Sequence, residues 1–170
     1  MGDAKILNDF EAHFKNHFLF PFQYSSNQSH NIFIQKNEPF KYYPVFKFNA
    51  SDSLPQPIKT NSSASDFIRT IWAYSLSLLV KGKNHPGILI LDEPGQHSVS
   101  SASLKVLFEK SAEIKGKQII FFTSTEKTLR PDNSQTKEIL NLELIMRDLK
   151  ENEDYKIYKL PSTGKSIHML

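Results

Sequence analysis

The sequence predicts an α/β fold in which parallel strands are flanked by helices and preceded by an N-terminal β-hairpin. Three observations carry this expectation. GILILD (87–92) and KQIIFF (117–122) are short apolar runs without alternation, the pattern of strands buried on both faces. Between them, SSASLKVLFEKSAEIKG (100–116) repeats its apolar residues at helical spacing. Strand, helix and strand in that order give a right-handed βαβ unit with parallel strands. Upstream, NIFIQK and YYPVFKF read as two strands joined across Asn37-Glu38-Pro39.

The remaining elements follow in chain order. AKILNDFEAHFKNHF sets Ile6, Phe10, Phe14 and Phe18 on one stripe, which predicts a helix over about 4–18 that starts abruptly after Met-Gly-Asp. Nine of the 13 phenylalanines precede residue 50, so this region forms an aromatic layer that needs something larger to pack on. Residues 49–62, with Pro55 and Pro57, read as a loop. Phe67, Ile68, Ile71, Trp72, Leu76, Leu79 and Val80 then mark a buried helix of about five turns ending near Gly82. After a polar stretch, KEILNLELIMRDLK carries Ile139, Leu142, Ile145, Met146 and Leu149 at helical spacing, and YKIYKL reads as a last strand. The expected organisation is one lobe over 1–170: a leading helix (1–20), a hairpin (31–48), a central unit (62–125) and a terminal helix and strand (134–170).

Composition bounds the function. A chain of 170 residues with 39% hydrophobic content can bury one sizeable core. No apolar run reaches the roughly 20 residues of a membrane span, and no secretory pattern opens the chain, so a cytoplasmic location without a membrane partner is the default. Without cysteine, disulfides and thiolate metal sites are excluded. A net charge of +3, from 21 basic and 18 acidic residues, is too mild to indicate nucleic-acid binding by itself. Lys81, Lys83, Lys115 and Lys117 form two KGK clusters at expected element ends, where cations suit helix C-termini.

Asp92 and Glu93 raise the chemical question. Ligands of parallel sheets bind beyond the carboxyl ends of the strands, and both acids stand at such an end, as do Thr123 and Ser124. A carboxylate there can hold Mg²⁺ beside nucleotide phosphates through water. Its neighbour, directed to the other side of the chain, can polarise an attacking water. The alternative is a buried strand that simply ends in solvated acids before Pro94.

ILILDEP, four aliphatic residues followed by Asp-Glu-Pro, resembles the Walker B segment of ATP-binding-cassette ATPases. The chain is similar to the C-terminal half of a P-loop ABC-type ATPase head of the SMC-like and RecN-like kind, over about residues 58–125. The resemblance implies that Asp92 assists the metal, that Glu93 is the catalytic base and that ATP and Mg²⁺ are the cofactors. It also implies nucleotide binding by the corner of NSSASDF, where Ser63 matches the signature serine, Ala64 and Ser65 stand in place of two glycines, and Asp66 matches the acidic residue. Read on its own, Ser63-x-x-Asp66 is a capping box. Gln96, His97 and Ser98 fall where the family has its D-loop, and Ser124 falls at the switch position, where many relatives carry histidine. That exchange implies slower or differently regulated hydrolysis.

GxxxxGK[ST], the Walker A loop, is nowhere in the chain: in the tail Ser162-Thr163-Gly164-Lys165-Ser166, Lys159 occupies the position of the first glycine. The resemblance therefore implies a separate N-terminal Walker A lobe and a second ATPase head as partners, with the leading helix as the root of a coiled coil. DNA as a further partner, in repair, DNA organisation or genome defence, comes from the resemblance alone. Two other readings remain: a non-catalytic dimerisation module that keeps the fold, and a Mg²⁺-dependent phosphohydrolase or nuclease needing further acids such as Glu126 or Asp132. His13 and His17, four apart, read as a surface pair without a third metal ligand. Arg69 and Arg130 read as solvated, and Trp72 as core.

Overall fold

A computed structural model describes residues 2–22, 24, 27–36, 41–49, 54–95, 99–123, 126–127, 138–139 and 141–159. The expected mixed α/β architecture is present, with a small antiparallel hairpin and a two-stranded parallel sheet. Helix α1 spans Gly2–His13 and continues as a π-wound segment over Phe14–Leu19. A short 3₁₀ turn, Asn27–Asn31, leads into β1, Ile32–Ile34, which pairs antiparallel with β2, Pro44–Phe46, in the register Phe33 opposite Val45. The link expected across Asn37-Glu38-Pro39 lies outside the described residues. One-turn helix α2, Ile58–Asn61, interrupts the expected loop.

Helix α3, Ala64–Lys81, is the long apolar helix anticipated from the sequence. Its Trp72, Ala73, Leu76 and Leu79 are buried, and the first three meet Phe14, Phe18 and Leu19 from the π-wound segment and Leu104, Leu107 and Phe108 from α4 in one core. Phe22 packs on Trp72 with ring centroids 5.8 Å apart. Gly82 ends α3, its N–H bonded to the Leu78 carbonyl. A Cβ there would stand 2.5 Å from that same oxygen, which is why glycine follows the helix.

Strand β3, Ile88–Asp92, helix α4, Ser101–Ala112, and strand β4, Gln118–Phe122, form the expected unit, with β3 and β4 parallel and Asp92 opposite Phe122. Ser100 caps α4, accepting from the Ser103 N–H. The expectation that these strands are buried on both faces is corrected. Leu89, Leu91, Ile119 and Phe121 pack against the core, while Ile88, Ile90 and Phe122 are 47%, 57% and 50% exposed. Helices cover one face of the sheet, and among the described residues nothing covers the other.

The C-terminal expectation is also corrected. In place of a helix through KEILNLELIMRDLK there is a two-residue strand β6, Glu138–Ile139, pairing with β5, Glu126–Lys127, and a single helical turn α5, Leu142–Ile145. Asn141 accounts for the late start, since its side chain accepts from the Leu144 N–H and sets the helix boundary there. Ile145 and Met146 still reach the core, and Lys105 of α4 pairs with Asp148. Tyr155, the start of the expected last strand, makes only an isolated bridge to Glu151. Among the described residues no helix is long and apolar enough to cross a membrane.

Core and open face give opposite mutational outcomes. Leu76→Ala, at a fully buried position, should lower the urea-unfolding free energy by about 2–5 kcal/mol. Ile90→Ala, on the open face, should change it by about 0.5 kcal/mol or less.

Candidate functional site

Alternation along β3 puts Ile88, Ile90 and Asp92 on the open face and Leu89 and Leu91 on the covered one. Asp92 is therefore exposed at the carboxyl end of the sheet. Glu93 breaks the alternation, because its backbone adopts φ +43°, the left-handed region that a non-glycine residue enters at a cost of about 1–3 kcal/mol. Its N–H donates to the Phe122 carbonyl at 2.7 Å, extending the ladder by one bond while the chain turns. Pro94 and Gly95 follow as a buried turn. The side chain of Glu93 is half-buried. The two adjacent carboxylates thus occupy different environments, one solvated and one at a strained corner. Thr123 directly follows β4 at the same end of the sheet. Ser124, the expected switch residue, and Gln96, His97 and Ser98, the expected D-loop residues, lie outside the described residues, as do Arg130 and Asp132.

At the start of α3, Ser63 caps the helix, accepting from the Asp66 N–H at 3.1 Å, as the capping-box reading requires. Ser63 is exposed, and Ser65 is half-buried. Asp66 differs from the expectation of a ligand-facing acid, since its carboxylate is 5% exposed and pairs with Arg69 at 2.6 Å. Arg69 is equally buried, which corrects its reading as a solvated residue. Its guanidinium donates to Ser65 Oγ at 3.2 Å and to Ser103 Oγ at 2.8 Å, and Ser103 Oγ lies 3.1 Å from Ser100 Oγ. Three acceptors from two helices satisfy the buried cation, as a charge removed from water demands. The available sequence signal was the i, i+3 spacing of Asp66 and Arg69 directly after a serine cap. This clasp holds the start of α3 against the start of α4, the helix that follows the turn at Glu93. The signature-like corner and the two acids therefore lie toward the same end of the unit.

Among the described residues no group of three or more histidine or acidic side chains could hold a metal. Asp92 alone would anchor a hydrated Mg²⁺ there, which fits an ion that keeps most of its waters and takes other ligands from phosphate oxygens. His13 and His17, at the junction of α1 and the π-wound segment, stack with ring centroids 4.5 Å apart. Burial, then the nearby Lys81 charge, then His17 push His13 from 6.5 down to about 4. Its Nε2 is buried without a hydrogen-bond partner among the described residues.

Comparison of the chain with protein-family models, with curated proteins and with solved structures gave no match.

Two outcomes test these environments. Arg69→Ala removes the cation that pairs with the buried Asp66 carboxylate, and should cost about 3–5 kcal/mol in urea unfolding, whereas the double replacement Asp66→Leu/Arg69→Met should cost much less. For His13, the unfolded chain takes up a proton below pH 6.5 that the folded chain refuses until about pH 4. Its contribution to stability is complete above about pH 6.5 and declines as the pH falls toward 4. The urea midpoint of His13→Gln should fall less steeply than that of the parent across this window.

Proposed function

We propose that the chain is the C-terminal lobe of an SMC-like ATPase head, and that it contributes Asp92 and Glu93 to ATP hydrolysis at an interface with a second head. The observation that carries this reading is the joint placement of the two acids. They close a parallel strand at its carboxyl edge, and the second is bent out of the strand by a left-handed backbone tied to Phe122. Backbone strain at a non-glycine residue in a ligand-binding position is a functional indicator. It separates the two carboxylates into a solvated one suited to a hydrated cation and a half-buried one suited to taking a proton from water.

The uncovered face of the β3–β4 sheet supports the same reading. A parallel sheet ordinarily carries layers on both sides, and Ile88, Ile90 and Phe122 are apolar where a second layer belongs. A complementary lobe bearing the missing Walker A loop would supply that layer along with the phosphate cradle. Mg²⁺, when bound at Asp92, supplies charge neutralisation for the phosphates. Glu93 would accept the proton of the attacking water, and Ser63, exposed at the N-terminus of an 18-residue helix, would face the nucleotide of the opposite head. DNA repair, DNA organisation or genome defence is the proposed setting.

A second reading has one observation in its favour. Asp66 is engaged by Arg69 inside the lobe, so the signature-like corner offers a cap serine without a free acid, as a dimerisation module that no longer turns over ATP would.

The two readings separate on one substitution. With the lobe joined to its Walker A counterpart, Glu93→Gln should lower the ATPase turnover by about 10²–10⁴-fold while ATP binding is retained. Unchanged turnover would remove Glu93 from the chemistry, and absence of turnover in the unsubstituted assembly would favour the non-catalytic module.

A further inference from the structure

We infer that the basic pocket between the π-wound segment and the turn joining α4 to β4 binds a phosphate-bearing anion. The pocket, about 290 Å³, is lined by His13 and His17 and by Lys110, Glu113, Lys115 and Lys117, with Phe18, Val80 and Ile114 as its apolar lining. Residues that stand in separate basic clusters along the chain are thereby brought together. Lys115 and Lys117 come from one KGK run, and Lys81 of the other lies close enough to act on His13.

Charge accounting leaves the pocket positive. Glu113 is its single acidic lining residue, and both of its oxygens accept from Lys110 at 2.8 Å. Lys81, Lys115 and Lys117 pair with no carboxylate among the described residues. Compensation of helix C-terminal dipoles does not account for all of them, because that effect falls off within the last turn, and Lys115 and Lys117 lie beyond Ala112, the last residue of α4. The His13 ring, with an Nε2 that has no hydrogen-bond partner among the described residues, adds a group whose protonation is opposed first by burial and then by the Lys81 charge, and would be favoured by an anion.

Phosphate matches this arrangement better than carboxylate does. Its oxygens are distributed around the centre and accept from several directions at once, and here ammonium and imidazole groups approach from two elements. The volume corresponds to roughly ten waters, room for a diphosphate. The pocket sits where β3 and β4 begin, since Lys117 immediately precedes Gln118, about 13 Å of strand away from Asp92. It is therefore separate from the proposed ATPase site and stands whether or not that reading holds.

Histidine-ring NMR at pH 7 and constant ionic strength, with sodium pyrophosphate as the probe, tests the inference. Saturable shifts of the His13 and His17 signals are expected, with the His13 titration moving to higher pH as pyrophosphate is added. Lys115→Ala/Lys117→Ala, both at exposed positions, should weaken binding by about tenfold or more. Lys83→Ala, outside the pocket lining, and Glu93→Gln should leave it unchanged. A short single-stranded oligonucleotide that competes at lower concentration than pyrophosphate would assign the phosphate to a nucleic-acid backbone, and failure to compete would assign it to a free polyphosphate. Shifts reproduced by sodium chloride alone, or a double variant that titrates like the parent, would overturn the inference.

Discussion

Burial of α3 is the constraint on which the rest of the described structure depends. The π-wound segment, the aromatic residues near Phe22, the covered face of β3 and the inner face of α4 all bury apolar surface against this one helix or its immediate neighbours. At roughly 25 cal/mol per Å² of apolar surface removed from water, apolar burial of this kind is the main stabilising term open to a chain of this size. At its N-terminal end the apolar contacts give way to the Arg69 clasp, which is directional where the core is not. Charge-assisted bonds from Arg69 to Asp66 and Ser103 set how the beginnings of α3 and α4 meet. Loss of that polar link would leave the two helices packed but free to slide.

The sequence made the central unit legible because its signals were redundant. The α3 stripe had a serine cap before it and a glycine after it, and β3 and β4 were apolar runs of strand length with a helical pattern between them. The hairpin was legible for a related reason, since β-branched and aromatic runs flanked a turn-forming segment. Failures came where local pattern and tertiary context diverged. An apolar strand without alternation carries no information about whether its second layer belongs to the same chain, so the open face of Ile90 could not be read from ILILD. The helix expected near Leu142 had the right spacing, but spacing says nothing of an Asn141 side chain that sets a new boundary. Arg69 was misjudged because arginine is ordinarily exposed, and three acceptors from two helices reverse that expectation.

The same distinction applies to the candidate site. That Asp92 and Glu93 stand at a strand end was legible in the residues themselves. Their different surroundings were not, because the difference arises from the left-handed turn at Glu93 and its bond to Phe122, neither of which has a signature beyond the following proline. Asp66 shows the reverse case, in which a residue matched to a motif by position is claimed by a neighbour three residues on. Motif position and chemical availability are separate properties, and at this corner they diverge.

The π-wound segment at Phe14–Leu19 has a consequence for the geometry of the leading helix. Ile6, Phe10, Phe14 and Phe18 repeat every four residues, and in an α-helix such a row rotates by about 40° at each step relative to the axis. Two steps would carry Phe18 well off the side that holds Phe10. A wider turn with i→i+5 bonds rotates the row the opposite way and brings Phe18 back under cover, as its burial beside Phe14 requires. The helix is thus wound to suit its aromatic row. A four-residue repeat is also out of phase with the heptad of a left-handed coiled coil. The row from Phe10 to Phe18 is therefore shaped for packing on this core and not for a heptad seam.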